Sequence, residues 1–300
     1  MAGAINANDT SKRYAVVTGG NKGIGFEICR QLLGSGDGVT VVLTARDEQK
    51  GKEAVEKLRA FDFSHGDVLF HHLNVTDPST VSTLFHFVKT NFGRLDILVN
   101  NAGVSGLDID ENVLKSSEGG QVHWSKALFH TYELTAECIE INYYGSKRMT
   151  EAFLPLLQLS KSPRIVNVSS AEAKLEKIHD EWAKGILNNV ESPPEKLDEV
   201  VNKYLEDYKN GRLEHTERFR VPSAYSVSKA TMNAYARTIA HKYPCLQVNC
   251  VNPGYVKTDL TYNSGLITVE EGAQSIVRVA LQPEDGPSGV FFDRQEIISF

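Results

Sequence analysis

Residues Thr18-Gly19-Gly20-Asn21-Lys22-Gly23-Ile24-Gly25 join the apolar, β-branched run 13–18 (RYAVVT) to Ile24, Ile28, Leu32 and Leu33 at helical spacing. The pattern is a strand, a glycine-rich turn and a helix. Glycines at such a turn let the backbone bend sharply and approach a pyrophosphate. The helix that follows offers free N–H groups and the positive end of its dipole to the same anion. The spacing is G-x-x-x-G-x-G, which departs from the commoner dinucleotide fingerprint G-x-G-x-x-G, but the strand–turn–helix context is the required one.

Further short apolar runs follow at 39–44 (VTVVLT), 68–73 (VLFHHL), 95–100 (LDILVN), 164–169 (RIVNVS), 246–251 (LQVNCV) and 289–292 (GVFF), with longer stretches suited to helices between them. Strand alternating with helix means βαβ units and right-handed crossovers. The expected fold is α/β: one Rossmann-type domain over 1–300, with about seven parallel strands and helices on both faces. At about 150 residues per domain the length would suit two domains. The glycine turn and the last strand nonetheless lie near opposite ends of the chain and belong to one sheet.

Two stretches interrupt the alternation. Residues 104–136 are polar and rich in Gly and Ser, and 171–222 are far longer than an ordinary strand-to-helix loop. Both are expected to be insertions forming a flap on the substrate side. The second contains a helix in outline. Ser192 suits the N-cap, Pro193 the first turn, and Glu195 completes a capping box. Leu197, Val200, Val201, Tyr204, Leu205 and Tyr208 form one apolar stripe, and Gly211 is a stop. Trp124 and Trp182 fall in these insertions, where they either line a pocket or anchor the segments. Residues 1–12 read as a flexible, polar N-terminus.

Lys and Arg number 32 against 38 Asp and Glu, a net charge of −6. That balance disfavours nucleic acid and anionic membrane surfaces as partners. No apolar run approaches the ~18 residues that would span a bilayer. Cys29, Cys138, Cys245 and Cys250 show no C-x-x-C spacing, which predicts reduced thiols in a cytoplasmic protein and no zinc site. The adjacent pair His71 and His72 would point to opposite faces of a strand, so no metal is expected.

The second strand bears on the choice of dinucleotide. An acidic residue at its end would hold a ribose 2′-hydroxyl. This chain has Arg46 there, twenty-one positions after Gly25. A guanidinium pairs with a 2′-phosphate, and Lys22 adds a second positive charge, so NADP(H) is expected over NAD(H).

With TGGNKGIG at 18–25, NNAG at 100–103, Asn142, VSS at 168–170, YSVSK at 225–229 and PGYVKT at 253–258, the sequence resembles the short-chain dehydrogenase/reductase family, in its longer, carbonyl-reductase-like form. INYYG at 141–145 and DEWAKG at 180–185 strengthen the likeness to the plant branch that acts on monoterpenoid and alkaloid ketones such as menthone and salutaridine. The resemblance implies that Tyr225 gives a proton to a carbonyl oxygen as a hydride reaches its carbon. Lys229, one helical turn on and on the same face, lowers the phenol's affinity for its proton and holds the nicotinamide ribose. Ser170 orients the carbonyl, with Ser169 as the alternative. Asn142 holds a water that links Lys229 to solvent. Gly19, Asn21, Lys22, Gly23, Ile24 and Gly25, together with Arg46, Asn74 and Val75, Asn101, Ala102 and Gly103, and Pro253, Gly254, Val256 and Thr258, are implied to line the cofactor groove. Asn74 stands where the family commonly has Asp.

The function implied is NADPH-dependent reduction of an apolar ketone or aldehyde. Some plant members reduce a conjugated C=C bond instead and carry an acidic residue where this chain has Tyr225. A non-catalytic NADP(H)-binding protein would show a damaged Ser-Tyr-Lys set, which here is complete. Many family members pair through the helix that bears the tyrosine. The insertion at 171–222 is expected to cover that surface and leave a monomer.

Overall fold

A computed structural model describes residues 12–61, 63–109, 128–213 and 223–300. Trp124, most of the first insertion, residues 1–11 and the end of the second insertion (214–222) lie outside them.

The main sheet is built from β1 (Arg13–Val17), β2 (Val39–Ala45), β3 (Asp67–His72), β4 (Ile97–Asn100), β7 (Arg164–Val168), β8 (Gln247–Asn252), β9 (Phe291–Asp293) and β10 (Glu296–Ile298), in the order β10-β9-β8-β7-β4-β1-β2-β3. The seven strands from β3 to β9 run parallel, each at one of the predicted runs. The eighth was not expected. β10 folds back antiparallel on β9 after Arg294, whose φ is 55°. A three-residue edge strand with Glu296 and Ile297 exposed carries too little pattern to be read from sequence. A second small sheet pairs β5 (Asp108–Ile109) with β6 (Leu128–Phe129), inside the stretch read as irregular.

Both faces of the sheet are covered, so its central strands β1, β2, β4, β7 and β8 are buried along their whole length or nearly so. In β1, Tyr14 and Val16 join one core cluster while Ala15 and Val17 join the other. The second cluster lies under α1 (Gly23–Leu33), α2 (Glu48–Arg59) and α9 (Val269–Ala280). The first lies under α3 (Pro78–Phe92), α4 (Tyr132–Ile139), α5 (Ser146–Leu157) and α8 (Ser223–Lys242). A π-helical turn, Glu140–Gly145, links α4 to α5 and contains Asn142. Such widened turns occur often at functional sites. Strand order reverses about β1, which sits between β2 and β4, and this opens a crevice beyond the carboxyl ends of β1 and β4.

The second insertion holds α6 (Glu181–Asn188) and α7 (Pro194–Lys209). In α7, Leu197, Val200, Val201 and Tyr204 are buried as the stripe predicts. Gly211 takes φ 66°, and the amides of Gly211 and Arg212 bond back to the carbonyls of Tyr208 and Asp207, a Schellman stop. The predicted capping box does not form. Pro193 is the N-cap and has no side-chain bond to offer, while the Ser192 hydroxyl donates to the Ile186 carbonyl at 2.8 Å. Pro194 holds Pro193 extended, so the helix starts one residue late. One flank of α7 is tied to the body by polar contacts. Tyr143 Oη donates to Asp198 Oδ1 at 2.7 Å, and Lys147 Nζ meets Asp198 Oδ2 at 2.6 Å.

No helix among the described residues is long and apolar enough to cross a membrane.

Candidate active site

The glycine turn is braced from β4. Thr18 Oγ1 accepts hydrogen bonds from the amides of Asn101 and Ala102, both at 2.9 Å, and Asn101 Nδ2 donates to the Thr18 carbonyl at 2.8 Å. Gly19 and Gly23 take φ of 64° and 54°, where a side chain would be strained. At Gly25 a Cβ would lie 2.3 Å from the Gly19 carbonyl oxygen, so only glycine permits this closeness. The N-cap of α1 is Lys22, which makes no side-chain cap bond. Asn21 and Ile24 sit half-buried in the same turn. The first N–H groups of α1 therefore face the crevice beside a surface of bare backbone. The cradle fits a pyrophosphate.

Arg46, at the end of β2, is exposed and bonds to none of the described residues. Lys22 differs from expectation. Rather than standing free beside Arg46, it pairs with Asp259 at 2.6 Å, with both side chains about two-thirds exposed (67% and 69%). Asn74 accepts at Oδ1 from the Thr76 amide and hydroxyl, and its own amide bonds to Thr80 Oγ1. Val75 turns its side chain into the core, so what it offers the groove is backbone.

Past β8, Gly254 takes φ 90°, and Val256 is buried against Gly272 and bridges to Ile267. Pro253 is buried. Thr258 caps the short turn Asp259–Thr261 and brings its methyl group near Gly23.

The groups that the sequence marks for catalysis converge at the start of α8. Lys229, 4% exposed, donates from Nζ to the Val168 carbonyl at 2.8 Å and lies 5.7 Å from the Tyr225 ring centroid. Gly103 sits against both Asn142 Oδ1 and Lys229 Nζ, 3.1 and 3.5 Å from where a Cβ would stand. Asn142 is fully buried. Its Oδ1 accepts from the Val104 amide, and its Nδ2 donates to the Val104 carbonyl at 3.0 Å and to Ser228 Oγ at 3.1 Å. The adjacent serines divide as their strand faces require. Ser170 is half-buried and hydrogen-bonds Tyr225, whereas Ser169 is buried and donates to Asn233 Oδ1 at 2.7 Å.

Burial pushes the Tyr225 phenol up to about 12, an effect the Ser170 hydrogen bond partly offsets. This opposes the lowering expected from Lys229 alone. Burial also pulls the Lys229 ammonium down to about 8. The desolvation that lowers Lys229 is the same one that raises Tyr225, since each loses water around its charged form. At neutral pH the pair is a protonated phenol beside a cation, which is the arrangement of a proton donor.

Sequence reasoning missed several supporting residues. Val104 and Ser228 hold Asn142, and Cys138 Sγ lies 3.3 Å from Asn142 Nδ2. Val104 and Ser228 adjoin or lie within the quoted motifs, but what they touch is set by the tertiary fold. Asn233 lies four residues after Lys229, a spacing that could have flagged it.

A family model described as short chain dehydrogenase matches residues 13–181. The chain is 51% identical over 296 residues to (+)-neomenthol dehydrogenase of Arabidopsis thaliana, covering 97% of this chain and 99% of the relative. Carbonyl reductase [NADPH] 1 of Bos taurus is 33% identical over 303 residues, covering 97% and 99%. The solved structure of salutaridine reductase from Papaver somniferum superposes with a TM-score of 0.86 at 49% identity, covering 94% of this chain and 99% of that one. The strand order, the glycine cradle and these likenesses agree: the chain belongs to the short-chain dehydrogenase family.

Proposed function

We propose that this protein is an NADPH-dependent reductase of apolar ketones or aldehydes, of the monoterpenoid or alkaloid type, with Tyr225 as proton donor. The observation that carries the reading is the grouping of a protonated Tyr225, hydrogen-bonded by Ser170, with Lys229 fixed to the end of β7. The names of its relatives agree: a neomenthol dehydrogenase, a salutaridine reductase and an NADPH carbonyl reductase.

The residues divide by role. Gly19, Asn21, Gly23, Ile24 and Gly25 form the pyrophosphate cradle. Arg46 takes the 2′-phosphate, and Lys22 joins it by exchanging Asp259 for the phosphate. Asn74 and the Val75 backbone border the adenine. Asn101, Ala102 and Gly103 back the groove, and Pro253, Gly254, Val256 and Thr258 close it on the nicotinamide side. Bound there, NADPH supplies a hydride to the substrate's carbonyl carbon. Ser170 donates a hydrogen bond to the carbonyl oxygen, favouring its developing negative charge. Tyr225 then transfers its proton to that oxygen. Lys229 holds the ribose and favours the phenolate left behind. Asn142 Oδ1 keeps a second lone pair beside Lys229, a place for the water through which the phenol regains its proton. Tyr255 and Leu266, exposed on the segment after Gly254, offer an apolar surface to the substrate.

The fold is one domain, and the described parts of the two insertions edge the substrate side. The α7 helix covers the face through which a second copy would pack, so the protein is a monomer.

The test is a panel of ketones, aldehydes and enones incubated with NADPH or NADH, followed by product identification. Alcohol products formed with NADPH support the reading. Saturated ketones as the only products, arising from enones, would replace it with C=C reduction.

A further inference from the structure

Asn142 stands in the π-turn Glu140–Gly145, where an N–H reaches back five residues instead of four. Such a turn carries one residue more than the helices on either side of it. Relaxing it to an unbroken α-helix would rotate α4 against α5 by about 100°, the angle of one residue. Asn142 Oδ1 would then leave the Val104 amide, which it meets at 2.9 Å, and its place beside Lys229. Widened turns are rare in helices, so this one depends on contacts from outside it.

At one end those contacts come from α7. Tyr143, the residue after Asn142, is fully buried, and its Oη donates to Asp198 Oδ1 at 2.7 Å. Burial and the adjacent carboxylate push the phenol well above its ordinary range, so it stays a donor. Asp198 Oδ2 takes Lys147 Nζ at 2.6 Å, and only 13% of the lysine side chain is exposed. Tyr143 lies inside the π-turn and Lys147 in the first turn of α5, so one carboxylate spans the junction between them. Asn202, one helical turn beyond Asp198 on the same side of α7, accepts from Tyr144 Oη at 3.2 Å. At the other end Arg148 donates to Glu140 Oε1 at 2.8 Å and to the Val75 carbonyl at 2.5 Å.

We propose, resting on the role given above to Asn142, that Asp198 is a positioning residue for the active site. Fixed by Lys147, it holds through Tyr143 the π-turn in the register that keeps Asn142 Oδ1 beside Lys229. Its carboxylate is taken up by Tyr143 and Lys147 rather than by Ser170, Tyr225 or Lys229, so its influence runs through the turn. The second insertion thus braces a catalytic turn as well as edging the substrate side.

The test begins with Tyr143→Phe, which removes one hydroxyl and leaves Asp198 paired with Lys147. In hydrogen exchange of the full-length protein, read by mass spectrometry, the amides of 139–147 should exchange about fivefold faster or more. The kcat for ketone reduction should fall roughly threefold to tenfold, with KM for NADPH unchanged. In an Asn142→Ala background the same substitution should lower kcat no further, because the residue through which it acts is gone. Asp198→Asn, which still accepts from Tyr143, should speed exchange at 139–147 less than Asp198→Ala does. Unchanged exchange there in Tyr143→Phe overturns the proposal, whether or not the protein reduces ketones. So does an equal fall in kcat with Asn142 present or replaced, or equal exchange in the two Asp198 variants. A protein that reduces no ketone at all would fail the proposed function, and the exchange measurement then decides the brace by itself. If Asp198→Ala does not fold with Lys147 left unpaired, Tyr143→Phe decides the matter alone.

Discussion

Lys229 Nζ donates to the main-chain carbonyl of Val168 at 2.8 Å, tying the catalytic helix to the last residue of β7. Val168 directly precedes the two serines, so this bond sets where Ser170 and Tyr225 stand relative to each other. The ammonium is buried as well as bonded, and burial brings it down to about 8.

A pH dependence follows. Below about 8 Lys229 carries its charge, and above it the charge is lost. Tyr225 keeps its proton up to about 12, so the phenol does not limit the alkaline side. The kcat/KM for ketone reduction is expected to hold a plateau below about pH 8 and to fall as pH rises through it, since kcat/KM reports groups of the free enzyme. In Lys229→Arg the side chain stays cationic, and the falling limb should move upward even if the rate is lower. A limb that stays near pH 8 in that variant assigns it to another group.

Removing the phenolic hydroxyl in Tyr225→Phe should lower kcat by roughly 10²–10⁴, the usual contribution of a positioned proton donor. NADPH binding, followed by fluorescence titration, should persist. Unchanged turnover would remove Tyr225 from the mechanism.

The two serines should separate in opposite experiments. Ser169→Ala strands the buried Asn233 Oδ1 and should cost about 1–3 kcal/mol in urea unfolding. Ser170→Ala loses the cap bond from the Glu172 amide and should cost less, about 0.5–1 kcal/mol, while lowering kcat by roughly 10²–10³. A reversed pattern would mean that Ser169 faces the substrate.

Cofactor choice rests on two cations in different states. Replacing the unpaired guanidinium in Arg46→Asp should weaken NADPH by about 1.5–3 kcal/mol, or roughly tenfold to 150-fold, with little effect on NADH. Lys22 is held by Asp259, an exposed pair worth about 0.2–1 kcal/mol. Asp259→Asn should therefore tighten NADPH by only a few-fold, and less at high salt. An unaltered NADPH/NADH preference in Arg46→Asp would displace Arg46 from the 2′-phosphate.

Light scattering should give the mass of one chain. Tyr143, Lys147 and Asp198 clamp α7 across the π-turn and the start of α5, and the expectation is that α7 takes the place a second copy would occupy. A stable dimer or tetramer would show pairing through another surface.

The seven parallel strands were legible because each coincides with a short apolar run, β-branched and buried in the central strands, with helical spacing between the runs. The α7 stripe was legible for a similar reason, since a 3.6-residue period survives whatever lies around it. Its start was not, because two consecutive prolines outweighed a well-formed capping signal at Ser192. β10, β5 and β6 are two or three residues long and exist by pairing with a neighbour, which no local pattern records.

At the candidate site the sequence by itself determined the inventory. Glycines stand where only a bare backbone fits, Tyr225 and Lys229 share a helix face, and a serine pair ends a strand. Tertiary structure decided the assignments within that inventory. It sends Ser169 to Asn233 and Ser170 to Tyr225, and it turns Lys22 to Asp259 while leaving Arg46 alone. It also raises the phenol that its lysine neighbour was expected to lower. The physical reason is common to all three. Local sequence fixes backbone conformation and the side from which a residue leaves it. Which partner it meets, and how much water it loses, depends on elements far away in the chain.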